Sequence, residues 1–156
     1  MTPKLTTVAA CRVARLDRQR FNEHVSNGDY PCAPPTVQGR TRWFENPNDL
    51  VPLMLFRQLM DDGVSPAKAG RIACAIGQVA REYPDEKIIS YVDDYFYGDG
   101  TAALPSDVPA PELWDQAAGF FMGTDIRKVT HHNIGKLRRL IAHYAAEEAS
   151  IIGADD

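Results

Sequence analysis

The stretch VQGRTRWFENPNDL, residues 37–50, decides how the rest of the chain is read. Gly39 marks a turn, and Arg40 and Arg42 alternate with Thr41 and Trp43 as side chains do on a strand. Upstream, prolines 31, 34 and 35 exclude a helix. Downstream, Asn46 or Asn48 can cap a helix that begins at Asp49-Leu50. The stretch is therefore expected to be a hairpin arm running into a helix, with Trp43 and Phe44 as packing residues.

Working outward on the N-terminal side, Thr6 or Thr7 caps a short helix through VAACRVARL, and Asp17 caps a second, RQRFNEHVSNG, which Gly28 stops. Two short helices joined by a tight turn form a helix-turn-helix candidate. On the C-terminal side, Leu50, Leu53, Met54, Phe56 and Leu59 build a broad apolar stripe on a third helix, with Pro52 tolerated near its start. Gly63 ends it, Ser65 and Pro66 start a fourth helix, and Pro84 stops that one.

Beyond Pro84 the chain changes character. EKIISYVDDYFY and TDIRKVTHHNI are rich in β-branched and aromatic residues and are expected to pair as two strands of a small antiparallel sheet. IGKLRRLIAHYAAEEASII follows as an amphipathic helix.

At 156 residues, 44% apolar and 24% charged, the composition is that of an ordinary globular domain. No apolar run reaches a membrane-spanning length and no leader precedes the first helix, so a cytoplasmic protein without membrane contact is expected. Cys11, Cys32 and Cys74 are odd in number and unevenly spaced, which predicts free thiols. His131 and His132 are adjacent while His24 and His143 lie far away, so neither a metal site nor a cofactor is expected. No nucleophile elbow or phosphate-binding glycine loop is present, and the Asp93-Asp94 pair looks like a solvated strand edge, so the chain is not expected to be an enzyme.

The net charge of −4 hides an asymmetry. Residues 1–81 carry 11 Lys and Arg against 7 Asp and Glu, a surplus of +4, while residues 82–156 carry 6 against 14, or −8. A polyanionic partner would have to be met by the first half.

Helix, tight turn, helix, hairpin, helix, turn, helix is an order that resembles the winged helix-turn-helix DNA-binding domain of the MerR (mercury-resistance regulator) family. The matching landmarks are Gly28, Pro31, GRTRWF at 39–44, DL at 49–50 and DGVS at 62–65, spread over about residues 5–80. The expected fold is mainly α: a winged helix-turn-helix of four helices plus a small wing hairpin at 1–83, and a C-terminal α+β extension of two strands and an amphipathic helix at 84–156. The resemblance implies a sequence-specific regulator of transcription that binds double-stranded DNA as a homodimer and would also meet RNA polymerase. Helix 18–27 would enter the major groove and the 31–44 wing would cross the adjacent backbone.

The residues support DNA contact on their own terms. Arg18, Gln19, Asn22 and Glu23 lie on the side of the second helix away from Phe21 and Val25, and Arg20 adds charge there. Arg pairs bidentately with guanine, Asn or Gln with adenine, and Glu accepts from cytosine. Arg40 and Arg42 are placed to straddle phosphates, and Arg12 and Arg15 to touch the backbone near the first helix. Self-association is expected through Leu137, Leu140, Ile141 and Tyr144 of the last helix. Two alternatives stand beside this reading: an excisionase-like or phage-type architectural protein that bends DNA, and a protein-protein interaction module without DNA contact.

Overall fold

The computed structural model describes residues 4–95, 100–115 and 126–152, the last four of these by backbone alone. In chain order the elements are β1 (Lys4–Thr6), α1 (Thr7–Ala14), α2 (Arg18–Ser26), β2 (Thr36–Val37), β3 (Thr41–Glu45), α3 (Leu50–Asp61) and α4 (Pro66–Glu82). Then follow β4 (Ile88–Asp94), β5 (Thr101–Ala103), two 3₁₀ turns at Pro105–Asp107 and Pro111–Leu113, β6 (Ile126–Asn133) and α5 (Ile134–Ile152). The ends of the two expected strands at 96–97 and 124–125 fall outside the described residues.

The expectation of a mainly α protein is overturned. The described residues form two three-stranded antiparallel sheets, ordered β1-β3-β2 and β5-β4-β6, beside the α-helices. Two strands escape a reading by periodicity because they are only three residues long. Lys4–Thr6 pairs with Trp43–Glu45, so the hairpin arm is the centre of a sheet rather than half of an isolated ribbon. Thr101–Ala103 pairs with Ser90–Val92, adding a third strand that lies between the two expected ones along the chain.

Local chemistry explains the first helices. Thr6 Oγ1 accepts from the Ala9 amide at 3.2 Å and Asp17 Oδ1 from the Arg20 amide at 3.0 Å, each satisfying an amide that lacks an intrahelical partner. Helix α1 ends on Arg15 in the left-handed region, φ 61°. A side chain there costs about 1 kcal/mol relative to glycine. The Arg57 Nε–H, donated to the Ala14 carbonyl at 3.0 Å, ties the same helix end to α3. Asn46 and Asn48 do not cap α3. The N-cap is Asp49, whose carboxylate reaches back to the Glu45 amide at 2.8 Å and locks the end of β3 onto the helix start.

The larger of two hydrophobic clusters among the described residues runs through both halves of the sequence. It joins Ala10, Val13 and Phe21 to the α3 stripe, to Ala69, Ile72, Ala73 and Ile76 of α4, and to Ile89, Tyr91, Ile134, Leu137 and Ile141. The expected division at residues 83 and 84 therefore crosses one continuous core. Helix α5 packs on α1 and α3, which is what draws the C-terminal segment into it.

The cysteine expectation also fails. Cys32 and Cys74 are bridged across a sequence separation of 42, and only Cys11, buried, is a free thiol. Spacing along the chain cannot reveal a pair that meets only when the segment after α2 is laid against α4.

Candidate nucleic-acid interface

An aromatic cluster sets the angle between α2 and the hairpin. Phe21 of α2 meets Phe44 of β3 edge to face at 5.8 Å and Tyr30 at the same distance, and Tyr30 meets Phe56 of α3 at 4.9 Å. All four rings are buried, so removing Phe21 would cost about 3–5 kcal/mol and free the helix from the hairpin. Burial pushes the Tyr30 phenol above its ordinary pKa, with Asp49 adding to the rise.

Between these fixed elements lies a polar groove of about 550 Å³. Its lining comes from three places: Thr6, Thr7 and Val8 at the start of α1, Arg18, Gln19 and Asn22 on the first turns of α2, and Arg40, Thr41 and Arg42 on the hairpin. Three arginines and no carboxylate line it, in a chain whose net charge is −4. Five of the residues expected to contact DNA thus converge on one concave surface. Among the described residues neither Arg18 nor Arg40 forms an ion pair, while Asp49 and Glu45 at the two ends of the β3–α3 connection are held by Arg81 at 2.6 Å and 3.9 Å. Arg42 is half-buried and donates to the Pro34 carbonyl, which fixes its stem and orients the remaining guanidinium donors. Arg20 and Glu23 are exposed on α2 and lie outside the groove lining.

Arg12 and Arg15 go elsewhere. Arg12 pairs with Glu148 at 3.0 Å, and Arg15 pairs with Glu147 at 3.8 Å and lies over the Tyr144 ring. The expected backbone contacts from α1 are thus engaged by α5, whose acidic last turns follow the positive face of α1. Nor are the expected dimerisation residues presented to a partner. Leu137 and Ile141 are buried in the chain's own core, and Leu140 and Tyr144 pack against it half-buried. Periodicity shows an apolar stripe but not what covers it.

Trp43 is the signal that sequence reading assigned to packing. It is 43% exposed, whereas Phe44 beside it is fully buried, because neighbouring strand residues point to opposite faces.

Three other groups of chemically capable side chains lie outside the groove. Ser90 Oγ and His131 Nδ1 are 2.7 Å apart across paired strands, and Ser90 is completely buried. Asp93 is not a solvated edge. It is 7% exposed and sits between Lys68 at 4.0 Å and Lys128 at 3.9 Å. Burial pushes the Cys11 thiol up to about 12, which disfavours its thiolate. No group of three metal-ligating side chains comes together among the described residues. None of their helices is long and apolar enough to cross a membrane. The sequence matches no protein-family model and no curated protein.

Proposed function

We propose that the protein is a sequence-specific double-stranded DNA-binding regulator of transcription, with the groove between α2 and the hairpin as its contact surface. The observation that carries this reading is the convergence of Arg18, Arg40 and Arg42, from two separate elements, on a concave surface without a carboxylate. A sugar-phosphate strand lies along that groove. Thr6, Thr7 and Val8 at the start of α1 line the same space, and a helix start favours anionic oxygens. Gln19 and Asn22, on the outer turn of α2, are then close enough to a groove edge to read adenine bidentately. The order of landmarks that resembles the MerR-family domain supports the same reading. A homodimer on a two-fold site would have to form through a surface other than the buried stripe of α5.

The same reading carries a cytoplasmic location with it. Disulfides are rare in that compartment, so the Cys32–Cys74 bridge is the feature this location must accommodate. Alkylating the thiols at lysis and counting them reads the bridge's state in the cell.

The test is binding to a random duplex library at several salt concentrations, followed by selection of bound sites. The expected result is an affinity that falls steeply with salt and an enriched motif. Salt-independent binding, or none, would overturn the proposal.

A further inference from the structure

Two contacts position Arg42 in the groove, and both come from the segment that follows Cys32. The backbone of Arg42 lies just before Trp43–Glu45, the part of β3 that β1 pairs, and its own register partner is Thr36 of the two-residue strand β2. Its guanidinium donates to the Pro34 carbonyl. A ladder of two residues holds little by itself. Cys32, two residues before Pro34, is bridged to Cys74 in the middle of α4, whose Ala69, Ala73 and Ile76 are sealed in the core. Cys32 and Ala33 also pack against that core. The bridge thus clamps to a fixed helix the segment on which a groove arginine rests.

The same bridge is open to exchange. Cys32 and Cys74 are both half-buried, whereas the free thiol of Cys11 is 2% exposed and takes no part. In a reducing compartment a bridge of this kind serves as a redox-sensing element more often than as a permanent staple. We propose that Cys32–Cys74 is a redox switch on the groove: bridged, it holds Arg42 against a phosphate, and reduced, it releases the hairpin arm and that contact is lost. The reductant is a dithiol. One of its thiolates attacks a sulfur of the bridge, forming a mixed disulfide and expelling the other cysteine, which takes up a proton. Its second thiol then displaces the remaining cysteine, so the dithiol leaves as a disulfide, and two electrons and two protons end on Cys32 and Cys74. Exchange with the oxidised dithiol is the reverse step. This inference rests on the DNA-binding reading above and adds its regulation.

The experiment titrates one duplex with the full chain at several salt concentrations, once with the bridge formed and once with dithiothreitol present. The expected result is weaker binding by the reduced chain and a plot of log K against log salt that is shallower by about 0.9, the slope of one phosphate contact. Cys32→Ala with Cys74→Ala gives the reduced values whether or not dithiothreitol is added. Arg42→Ala gives the shallow slope in both states, so the redox difference disappears. Reduction also lowers stability, but an unfolded fraction weakens apparent binding without changing the slope of the molecules that remain folded. Weaker binding at unchanged slope would therefore overturn the inference. Amide hydrogen exchange gives a reading without DNA: reduction should speed exchange over residues 34–42 and leave Phe44, on the β1-paired part of β3, as it was. Exchange over 34–42 that ignores reduction sinks the switch. Equal affinities and slopes in the two states also overturn it and leave DNA binding standing, whereas a bridged chain that binds no DNA takes both readings down.

Discussion

The guanidinium of Arg15 lies 4.4 Å from the ring centroid of Tyr144, joining the turn after α1 to the middle of α5. Arg12 is held one turn further along by Glu148, which is 9% exposed. These two arginines belong to the packing of α5, whereas Arg40 and Arg42 line the groove. Two pairs that look alike in the sequence should therefore behave differently.

Arg40→Ala with Arg42→Ala should weaken duplex binding and make the plot of log K against log salt shallower by about 1.8, the slope that two phosphate contacts carry. Arg12→Ala with Arg15→Ala should leave that slope unchanged. Instead it should lower stability by about 1–2 kcal/mol, because Glu148 loses its cation. The cost is below that of a fully buried pair because the Arg12 side chain is 55% exposed. Fluorescence anisotropy and urea unfolding separate the two effects.

Cys32–Cys74 closes a loop of 42 residues that contains the whole hairpin and α3. Constraining an unfolded loop of that length stabilises by about 4 kcal/mol on chain-entropy grounds. Reduction, or Cys32→Ala with Cys74→Ala, should lower the urea midpoint by a corresponding amount. An unchanged midpoint would show that the bridge contributes nothing.

Gly70→Ala should be among the most damaging single substitutions. A Cβ there would stand 1.6 Å from the Asp29 carbonyl oxygen, and Asp29 is pinned by its amide, which donates to the His24 carbonyl at 2.8 Å, and by its carboxylate, 3.0 Å from the His24 Nδ1. Relieving the clash means moving α4 away from the turn after α2, at about 3 kcal/mol. Gly63→Ala, with φ +92° but open space around it, should cost only about 1 kcal/mol of backbone strain. Paired unfolding curves for the two variants measure the difference.

Burial, and then the neighbouring His131, lower the pKa of His132 below its ordinary 6.5. The unfolded chain thus takes up this proton before the folded one does. Stability is full above about pH 6.5 and declines as the pH falls from there towards the folded pKa. His132→Gln should flatten that part of the profile, as read by urea midpoints between pH 8 and pH 5. A profile identical to that of the parent would remove His132 as the cause.

Local signals were legible wherever a residue acts on its near neighbours. Thr6 and Asp17 capping their helices, Gly28 and Gly63 at helix ends with positive φ, and Pro66 opening α4 are all short-range effects of side-chain chemistry. The pairing of β4 with β6 was legible too, from β-branched and aromatic composition. Arg18, Gln19, Asn22, Arg40 and Arg42 could be proposed as one surface because a turn and a strand have known periods. The three-residue strands carry too few positions to show a period, and their pairing across about forty or ten residues is a long-range matter. That omission is why the mainly α expectation failed.

The sequence by itself determined where helices start and stop, the alternation that puts Trp43 and Phe44 on opposite faces, and the positive first half. Tertiary structure alone decided which face is inside. It placed Phe44 on Phe21 and left Trp43 in water, drew Leu137 and Ile141 into a shared core, and gave Arg12 and Arg15 to the acids of α5. It also brought Cys32 against Cys74. The physical reason is common to all of these: period and propensity are properties of neighbours along the chain, whereas burial, ion pairing and bridging depend on which distant surface arrives to cover a side chain.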